Sequence, residues 1–366
     1  MNQPIDYLLF AGEMSADMYG GLLAGHLKAL NPDLILWAVG GDALGRRVDR
    51  MIPTDVLRHS IGIKGILGTP HWMATIKSIL GNTIVRNAII LDFGTIHFKL
   101  AALLSHHGIP IHTVITPNFW IWKDVKKARA LAAYSQSITA IFEPEYQLYQ
   151  TFNHPHVYYF GHPMVELSPP LNRQENPQHI TFFPGSRTQE LRLMLPPMIA
   201  IATLLSKALP MYTLAAHVPS PTLLSQIEDM GPLPFQLNSM DKQALLSDTA
   251  FLICAGGSAT LEGILHQIPM VILGAVPLLT YIVAKYLLRL DVPFIGLPNI
   301  MAGKEIVPEW IQFNIKPPEI VASIQTLLEP TQGSSLVAGY TPVVQSLKKT
   351  PQPFLELAKT LLQLKP

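Results

Sequence analysis

The chain has 366 residues, with 26 basic and 25 acidic side chains and a formal net charge of +1. Charged residues make up 14 % of it, against about 25 % in an average protein, and apolar residues make up 49 %. This balance excludes a disordered chain and a generally basic nucleic-acid-binding protein. One hydrophobic core usually splits at this length, so we expect two domains.

The low charge raises the question of a membrane-spanning segment. The uncharged stretch 263–284 is long enough to span a bilayer, but Pro269, Gly274 and Pro277 divide it, so we interpret it as strand, loop and helix start. The first residues lack the basic segment of a secretory signal, and the single cysteine, Cys254, excludes a disulfide framework. We therefore expect a cytoplasmic protein.

Apolar runs and glycine turns predict an open α/β sheet in the first half of the chain. A strand, a helix and a second strand within about 35 residues are typical of a parallel sheet, and this pattern repeats. Strands are predicted at residues 7–11, 34–39, 88–91, 111–115 and 137–142, and helices at 22–30 and 98–104.

The pattern starts again after a proline-rich stretch, which divides the chain into two α/β domains. Strands are predicted at 179–183, 212–216, 251–254 and 270–273, and helices over 188–205, at 259–266 and from about residue 354. Ligands of such folds bind outside the carboxyl ends of the strands, so a cleft between the halves is the expected site. The predicted divisions are a first domain 1–166, a linker 167–178, a second domain 179–330 and a tail 331–366.

Two loops of the second half predict nucleotide binding. Gly185, Ser186 and Arg187 open a helix, where backbone amides and the guanidinium suit a pyrophosphate, although an ordinary turn has the same pattern. In the other loop small residues permit close approach of a ligand, and Glu262 could accept hydrogen bonds from a ribose diol or be stabilised by the helix dipole alone. Neither loop has the spacing of an ATP-hydrolysing or a dinucleotide-binding motif. The members of the second loop are Gly256, Gly257, Ser258, Ala259, Thr260 and Glu262.

Carboxylates follow two predicted strands of the first half. Asp92 comes directly after the strand 88–91, where a carboxylate could serve as a general base. The loop after the first strand contributes Gly12, Glu13, Ser15 and Asp17, which could equally form a turn and a helix cap. The histidines lack the spacing of a metal site, so we expect no metal.

Two apolar segments of the first half could lie on a membrane interface, although such stripes are more often part of a core. Cations at 123, 126, 127 and 129 follow the second segment and would suit anionic headgroups. The candidate membrane residues are Ile63, Ile66, Leu67, Trp72, Met73, Ile76, Trp120 and Trp122.

Together these motifs resemble the lipid-A-disaccharide synthase family over about residues 7–325. GEMSAD (12–17) is similar to the family's GExSGD loop, DFGTIH (92–97) stands at its DAPDFN motif, and TPNFWIWK (116–123) resembles its SPxxWAWR segment. FEPEYQLY, GHP, PGSR, GGSATLE and LPNIMAGKEIVPE follow in order at compatible spacing.

The resemblance implies a B-type glycosyltransferase, with two Rossmann-like doubly wound parallel-sheet domains facing a central cleft. Such an enzyme transfers a diacylglucosaminyl group from UDP-2,3-diacylglucosamine to 2,3-diacylglucosamine 1-phosphate and releases UDP. By this resemblance Arg187, the 256–262 loop and Asn299 would hold UDP, while Asp92 would deprotonate the acceptor 6-hydroxyl. Arg187 would also stabilise the leaving diphosphate, with no metal or other cofactor. A homodimer through C-terminal segments and peripheral association with the inner membrane are implied as well.

Three residues depart from the family pattern. Thr95 stands in place of the second Asp of DAPDFN, His97 in place of its Asn, and Ala16 in place of the glycine of GExSGD. These departures leave two alternatives open: a divergent paralogue that acts on another UDP-sugar, as a transferase or an epimerase-like enzyme, and a non-catalytic membrane-associated nucleotide-sugar binder.

Overall fold

The computed structural model describes residues 3–53, 69–186, 188–218, 224–225, 227, 232–238, 241–276 and 294–364. The chain forms two compact units, one made of Met1–Leu167 with Ser346–Pro366 and the other of Ser168–Gln345. The first domain was predicted to end at residue 166, and the long segment of the first unit ends at Leu167. The predicted linker instead belongs almost entirely to the second unit, and the predicted tail is divided between the two units.

The first unit contains a parallel sheet of seven strands in the order β3-β2-β1-β4-β5-β6-β7. Its two central strands are buried over residues 7–11 and 87–91 because helices cover both faces of such a sheet, and apart from Asn87 these stretches are apolar. The strands are β1 (Ile5–Ala11), β2 (Leu36–Val39), β3 (Arg50–Met51), β4 (Val85–Leu91), β5 (Ile111–Val114), β6 (Ser137–Ala140) and β7 (Val157–Tyr159).

The helices of the first unit follow the strands in alternation, and the last helix comes from the C-terminal segment. Tyr7 of β1 donates a hydrogen bond to the carbonyl of Leu361 at 3.0 Å, which fixes that last helix to the unit. The described helices are Met14–Leu30, Asp42–Gly45, Thr69–Asn82, His97–His106, Phe119–Trp122, Val125–Ala132, Glu143–Gln150, Met164–Leu167 and Pro353–Gln363, with a 3₁₀ turn at Gly94–Ile96.

The second unit repeats the arrangement with a six-stranded parallel sheet in the order β10-β9-β8-β11-β12-β13. In both units the chain first adds strands on one side of its first strand and then returns to the other side, which defines a doubly wound sheet. The strands are β8 (His179–Phe183), β9 (Thr213–His217), β10 (Gln236–Asn238), β11 (Thr249–Ala255), β12 (Met270–Gly274) and β13 (Glu309–Ile311).

One helix of the second unit, Thr188–Ala208, is long and apolar enough to cross a membrane by length and composition. Its buried face, which includes Met194, Met198 and Ile201, forms part of the unit's hydrophobic core together with Phe182 of β8. A core helix passes the same test of length and composition. The other described helices are Lys242–Ser247, Ala259–Leu265, Leu297–Ala302, Pro317–Leu327, Pro330–Ala338 and Thr341–Leu347, with a 3₁₀ turn at Gln312–Asn314.

The fold class predicted from sequence is confirmed, with differences at the sheet edges. The short strands β3, β7, β10 and β13 were not predicted, because strands of two or three residues show no usable periodicity. The stretch 263–284 begins with a helix end and β12, as expected, while residues 277–284 lie outside the described residues.

Candidate functional site

The residues predicted from sequence fall at the switch point of each sheet, where the order of strands reverses. In the first unit the 12–17 segment follows β1 and Asp92 follows β4, and these two strands are neighbours. In the second unit Gly185 and Ser186 follow β8, and the 256–262 loop follows its neighbour β11. Because ligands of doubly wound sheets bind at switch points, each unit has one candidate binding edge.

Asp92 occupies a backbone conformation that is unusual for a residue with a side chain. Its φ is +36°, in the left-handed region that Asp tolerates better than most residues. Its amide donates to the carbonyl of Ile115 at 3.1 Å, which ties the residue to the end of β5. A β-carbon on Gly12 would lie 2.7 Å from the carbonyl oxygen of Asp92, so only glycine fits beside it. The backbone of Asp92 is therefore fixed from two neighbouring strands.

The segment after β1 is largely helical, which changes the predicted role of Asp17. The helix begins at Met14, with Glu13 as its N-cap residue and Ser15 half-buried in its first turn. Asp17 directs its carboxylate to the turn after β2. There it accepts backbone hydrogen bonds from Gly41 at 2.6 Å, Ala43 at 3.0 Å and Leu44 at 3.2 Å. Asp17 is thus a buried structural residue.

Ala16 and His97 are departures from the family pattern that the structure explains in part. Ala16 lies inside the helix Met14–Leu30, where alanine is the most favourable residue and no positive φ is needed. His97 begins the helix after Asp92 and is fully buried. Neither ring nitrogen of His97 has a hydrogen-bond partner among the described residues, and burial lowers its pKa to about 3. Nothing is described of the Thr95 side chain.

A carboxylate occupies the turn after β8 that was predicted to bind pyrophosphate. Gly185 has a φ of +107°, and a β-carbon there would lie 2.5 Å from the Glu190 carboxylate. Glu190 accepts a hydrogen bond from the Ser186 amide at 3.1 Å. One backbone donor of the turn is therefore already used, and an anion here would need a further cation. Arg187, the predicted cation, lies outside the described residues.

Within the described part of the chain, the loop after β11 is open on the side of Gly257. This residue has a φ of +139°, and a β-carbon there would have no described heavy atom within 4 Å. Thr260, by contrast, is buried, and its hydroxyl donates to the Gly257 carbonyl at 2.6 Å. Gly256, Ser258 and Ala259 are half-buried. Small residues and open space beside Gly257 leave room for a ligand, whereas the Thr260 hydroxyl holds the loop together.

Glu262 lies in the first turn of the helix that follows this loop, and its carboxylate has two partners. Lys242 contacts both carboxylate oxygens, at 2.8 and 3.0 Å. Ser168 donates to the same carboxylate at 3.2 Å. The negative charge adds to the effect of burial on Cys254, whose pKa is raised by desolvation and then by Glu262 and Glu190. Among the described residues, Glu190 and Glu262 thus bring negative charge to this edge and Lys242 brings a positive charge.

Asn299, which the family resemblance assigns to UDP, has no hydrogen-bonding capacity left for a ligand. Its amide nitrogen donates to Val307 and Glu309 at 2.7 Å each. Its amide oxygen accepts from the amides of Ile306 at 2.7 Å and Val307 at 2.9 Å. All four sites of the side chain are occupied and the residue is fully buried. In this structure Asn299 closes the loop between its own helix and β13, and its assignment to UDP stays a prediction from the family resemblance.

The predicted membrane residues differ in how much they expose. Ile76 is fully buried in the core of the first unit, and Met73 packs against that core. Ile76 is therefore excluded from a membrane surface, whereas Met73 is only partly buried. Trp120 is half-buried with its ring against Phe142, whereas Trp122 is 49 % exposed. Ile63, Ile66 and Leu67 lie outside the described residues, as does the Trp72 side chain.

Sequence reasoning missed two structural motifs in the first unit. A β-carbon on Gly161 of GHP would lie 2.5 Å from the carbonyl of Leu347, so glycine admits the returning C-terminal segment. The carboxylate of Glu145 in FEPEYQLY accepts from the hydroxyl and amide of Thr116, at 2.7 and 3.0 Å, and from the amide of Ile141. Burial raises the pKa of Glu145. Glu145 also accepts from the amide of the N-cap residue Phe142 at 3.4 Å, but phenylalanine lacks the hydroxyl that marks a capping box in a sequence, so no clear sequence signal was available.

The part of the chain that the structure describes has no group of three or more His, Cys, Asp or Glu side chains able to hold a metal ion. Each unit offers its own candidate edge: the first has the carboxylate of Asp92, and the second has a glycine loop with the ion pair of Lys242 and Glu262.

Solved structures with the same architecture define the class of protein. The chain is similar to the UDP-GlcNAc 2-epimerase of Neisseria meningitidis bound to UDP-GlcNAc, with a TM-score of 0.61, 13 % identity and coverage of 98 % of this chain and 100 % of that one. A rhamnosyltransferase, SpnG, complexed with spinosyn aglycone gives a TM-score of 0.63 at 13 % identity, with coverage of 98 % and 100 %. The fold is that of the B-type glycosyltransferases.

The sequence then identifies the family within this class. The family model "Lipid-A-disaccharide synthetase" matches residues 7–348, and the chain belongs to that family. The lipid-A-disaccharide synthase of Psychromonas ingrahamii is 28 % identical over 348 residues, which cover 90 % of each chain. That of Coxiella burnetii (strain Dugway 5J108-111) is 29 % identical over 336 residues, which cover 88 % of each. The protein is accordingly a hexosyltransferase of lipid A biosynthesis.

Proposed function

We propose that the protein transfers the 2,3-diacylglucosaminyl group of UDP-2,3-diacylglucosamine to 2,3-diacylglucosamine 1-phosphate. The products are lipid A disaccharide 1-phosphate and UDP. The observation that carries the proposal is Asp92, a carboxylate held at the switch point of the first unit by β1 and β5. Family membership supplies the substrate class.

In the proposed reaction the acceptor 6-hydroxyl attacks the anomeric carbon of the donor sugar. The new bond forms between that oxygen and the carbon, the bond from the carbon to the diphosphate breaks, and its electron pair leaves with UDP. Asp92 takes the hydroxyl proton as general base, a role that usually contributes about 10²- to 10⁴-fold to the rate. A backbone held on two sides keeps such a base in position without further ordering.

For the donor we propose the edge of the second unit. The open side of Gly257 would admit the diphosphate-sugar backbone, and Glu262 would accept a hydrogen bond from the ribose. Positive charge for the diphosphate would come from Arg187, and no metal or other cofactor is assigned. With Glu190 already bound to the Ser186 amide, the guanidinium is the principal stabilising charge in this proposal.

We also propose that the protein is cytoplasmic and rests on the inner membrane. Trp122 is exposed and stands beside Lys123, Lys126 and Lys127, which are exposed as well, while Val125 is 45 % exposed. An aromatic ring among cations is suited to the headgroup region of an anionic bilayer. From such a position the protein would reach its acylated substrates. Assembly as a homodimer stays a prediction.

The deciding experiment is an assay of the purified protein with both acylated substrates, with detection of the disaccharide 1-phosphate and UDP. Asp92→Asn should lower kcat at least about 100-fold and leave UDP affinity unchanged, since the amide keeps the shape but cannot take a proton. Asp33→Asn, an exposed change in the same unit, is the matched control. Folded wild-type protein without turnover would refute the proposal, and UDP release from a non-acylated UDP-sugar would indicate the paralogue.

A further inference from the structure

The proposed function places UDP at the edge formed by residues 185–186 and the 256–262 loop. Within the described part of the second unit, the ion pair between Lys242 and Glu262 is the one contact made by a cation at this edge. Glu262 is almost buried, with 6 % of its side chain exposed, while Lys242 is 39 % exposed. Lys242 begins the short helix before β11, and Glu262 lies in the helix after that strand. The contact therefore joins the two helices that flank β11.

The geometry leaves acceptor capacity on Glu262. A carboxylate offers about four acceptor positions, two on each oxygen. Lys242 at 2.8 Å and Ser168 at 3.2 Å use both positions of Oε1, and Lys242 at 3.0 Å uses one position of Oε2. By these contacts one position of Oε2 remains for the hydroxyl of a ligand.

We infer that Lys242 is a positioning residue for the nucleotide ribose, acting through Glu262. The inference rests on the proposed function, which places UDP at this edge. The ammonium group holds the carboxylate by both oxygens, so the carboxylate has little freedom to lose when a ribose hydroxyl binds.

This role differs from a general attraction between Lys242 and the diphosphate. If Lys242 acts through Glu262, its effect requires the ribose hydroxyls. If it acts by its charge on the diphosphate, its effect is the same for a nucleotide that lacks those hydroxyls. UDP and 2′,3′-dideoxy-UDP therefore separate the two roles.

The test is the dissociation constant of each nucleotide, measured by calorimetry for wild type, Lys242→Met and Lys242→Arg. Lys242→Met should weaken UDP binding by about tenfold, as expected for one charge-assisted hydrogen bond, and change 2′,3′-dideoxy-UDP binding by less than about twofold. Lys242→Arg should restore UDP binding, because it keeps the charge and the donors. Lys316→Met is the matched control, since it removes an exposed Lys–Glu pair of the same unit.

Equal loss for both nucleotides, tighter binding by Lys242→Met, or no change would overturn the inference. If Lys242→Met does not fold, Ser168→Ala gives a second measurement, since it removes the longer bond and leaves Lys242 in place. In that variant the ratio of the two dissociation constants should stay within about threefold of the wild-type ratio. Loss of the preference for UDP would show that Lys242 does not position Glu262, and would overturn the inference. Wild-type protein that binds neither nucleotide would refute the proposed function itself.

Discussion

A β-carbon on Gly12 would lie 2.7 Å from the carbonyl oxygen of Asp92 and 2.8 Å from the α-carbon of Phe93. Both atoms belong to the backbone, so no side-chain rotation can relieve the contact. The glycine at the end of β1 is thus required by the residue at the end of β4. The close approach of these two backbone segments fixes the position of Asp92, the candidate general base.

Gly12→Ala should therefore reduce both stability and turnover. We expect the free energy of unfolding to fall by about 1–3 kcal/mol, the usual cost of overpacking, and kcat to fall because Asp92 is displaced. Urea unfolding and the transferase assay measure the two effects. Gly81→Ala, at a helical position with no heavy atom of the described residues within 4 Å of the β-carbon, should be neutral or stabilising. Unchanged turnover in a destabilised Gly12→Ala protein would contradict the positioning of Asp92.

Asn299→Ala should affect stability and not nucleotide affinity. The substitution leaves the amides of Ile306 and Val307 without their buried acceptor, at a cost of about 1–3 kcal/mol for each unsatisfied group. Urea unfolding should show a large loss, while the folded variant should bind UDP as wild type does. Asn82→Ala, which removes one exposed hydrogen bond, is the control for the loss of an asparagine amide. A loss of UDP affinity in Asn299→Ala but not in Asn82→Ala would show that Asn299 contributes to nucleotide binding.

His97 should make the protein less stable as the pH falls. The ordinary histidine pKa is 6.5, and burial lowers that of His97 to about 3. Below pH 6.5 the unfolded chain therefore binds a proton that the folded chain does not bind. The free energy of unfolding should decrease by about 1.4 kcal/mol per pH unit from this residue as the pH falls from about 6 toward 4.

Other buried groups titrate over the same range, so the variant must be compared with wild type at each pH. Burial lowers the pKa of His162 to about 3 and raises that of Glu145, which acts in the opposite direction. His97→Asn introduces the residue that the family motif carries and should flatten the dependence by about 1.4 kcal/mol per unit. Parallel curves for the variant and wild type would show that His97 titrates normally.

Trp122→Ser should weaken binding to anionic vesicles. An exposed tryptophan among lysines contributes both apolar contact and an interfacial anchor, and the lysines make the binding decrease with salt. Vesicle co-sedimentation with and without anionic lipid measures the effect. Phe313→Ser, a comparably exposed aromatic in the second unit, is the control. If Trp122→Ser and Phe313→Ser bind anionic vesicles equally well, the surface around Trp122 is not the docking face.

The sequence predicted the strands that a parallel sheet buries, because residues such as 7–11 and 251–254 are apolar without interruption. The glycine turns that follow β1, β8 and β11 also indicated the loops that lie at the two switch points. What it could not supply was side-chain direction. Asp17 and Asn299 carry the polar groups that a site needs, but each binds a backbone segment that only the tertiary fold brings near. The spacing of residues in the sequence likewise could not predict the ion pair between Lys242, before β11, and Glu262, after it.

The return of the C-terminal segment has a consequence for how the protein is made. The second unit is one continuous stretch of chain, whereas the first unit needs the helix Pro353–Gln363, which leaves the ribosome after the whole of the second unit. During synthesis the second unit can complete its fold while the first still lacks a helix. Premature termination between residue 345 and this helix therefore damages the unit that was begun first. Only a chain translated through Pro353–Gln363 forms the Asp92-bearing unit in full.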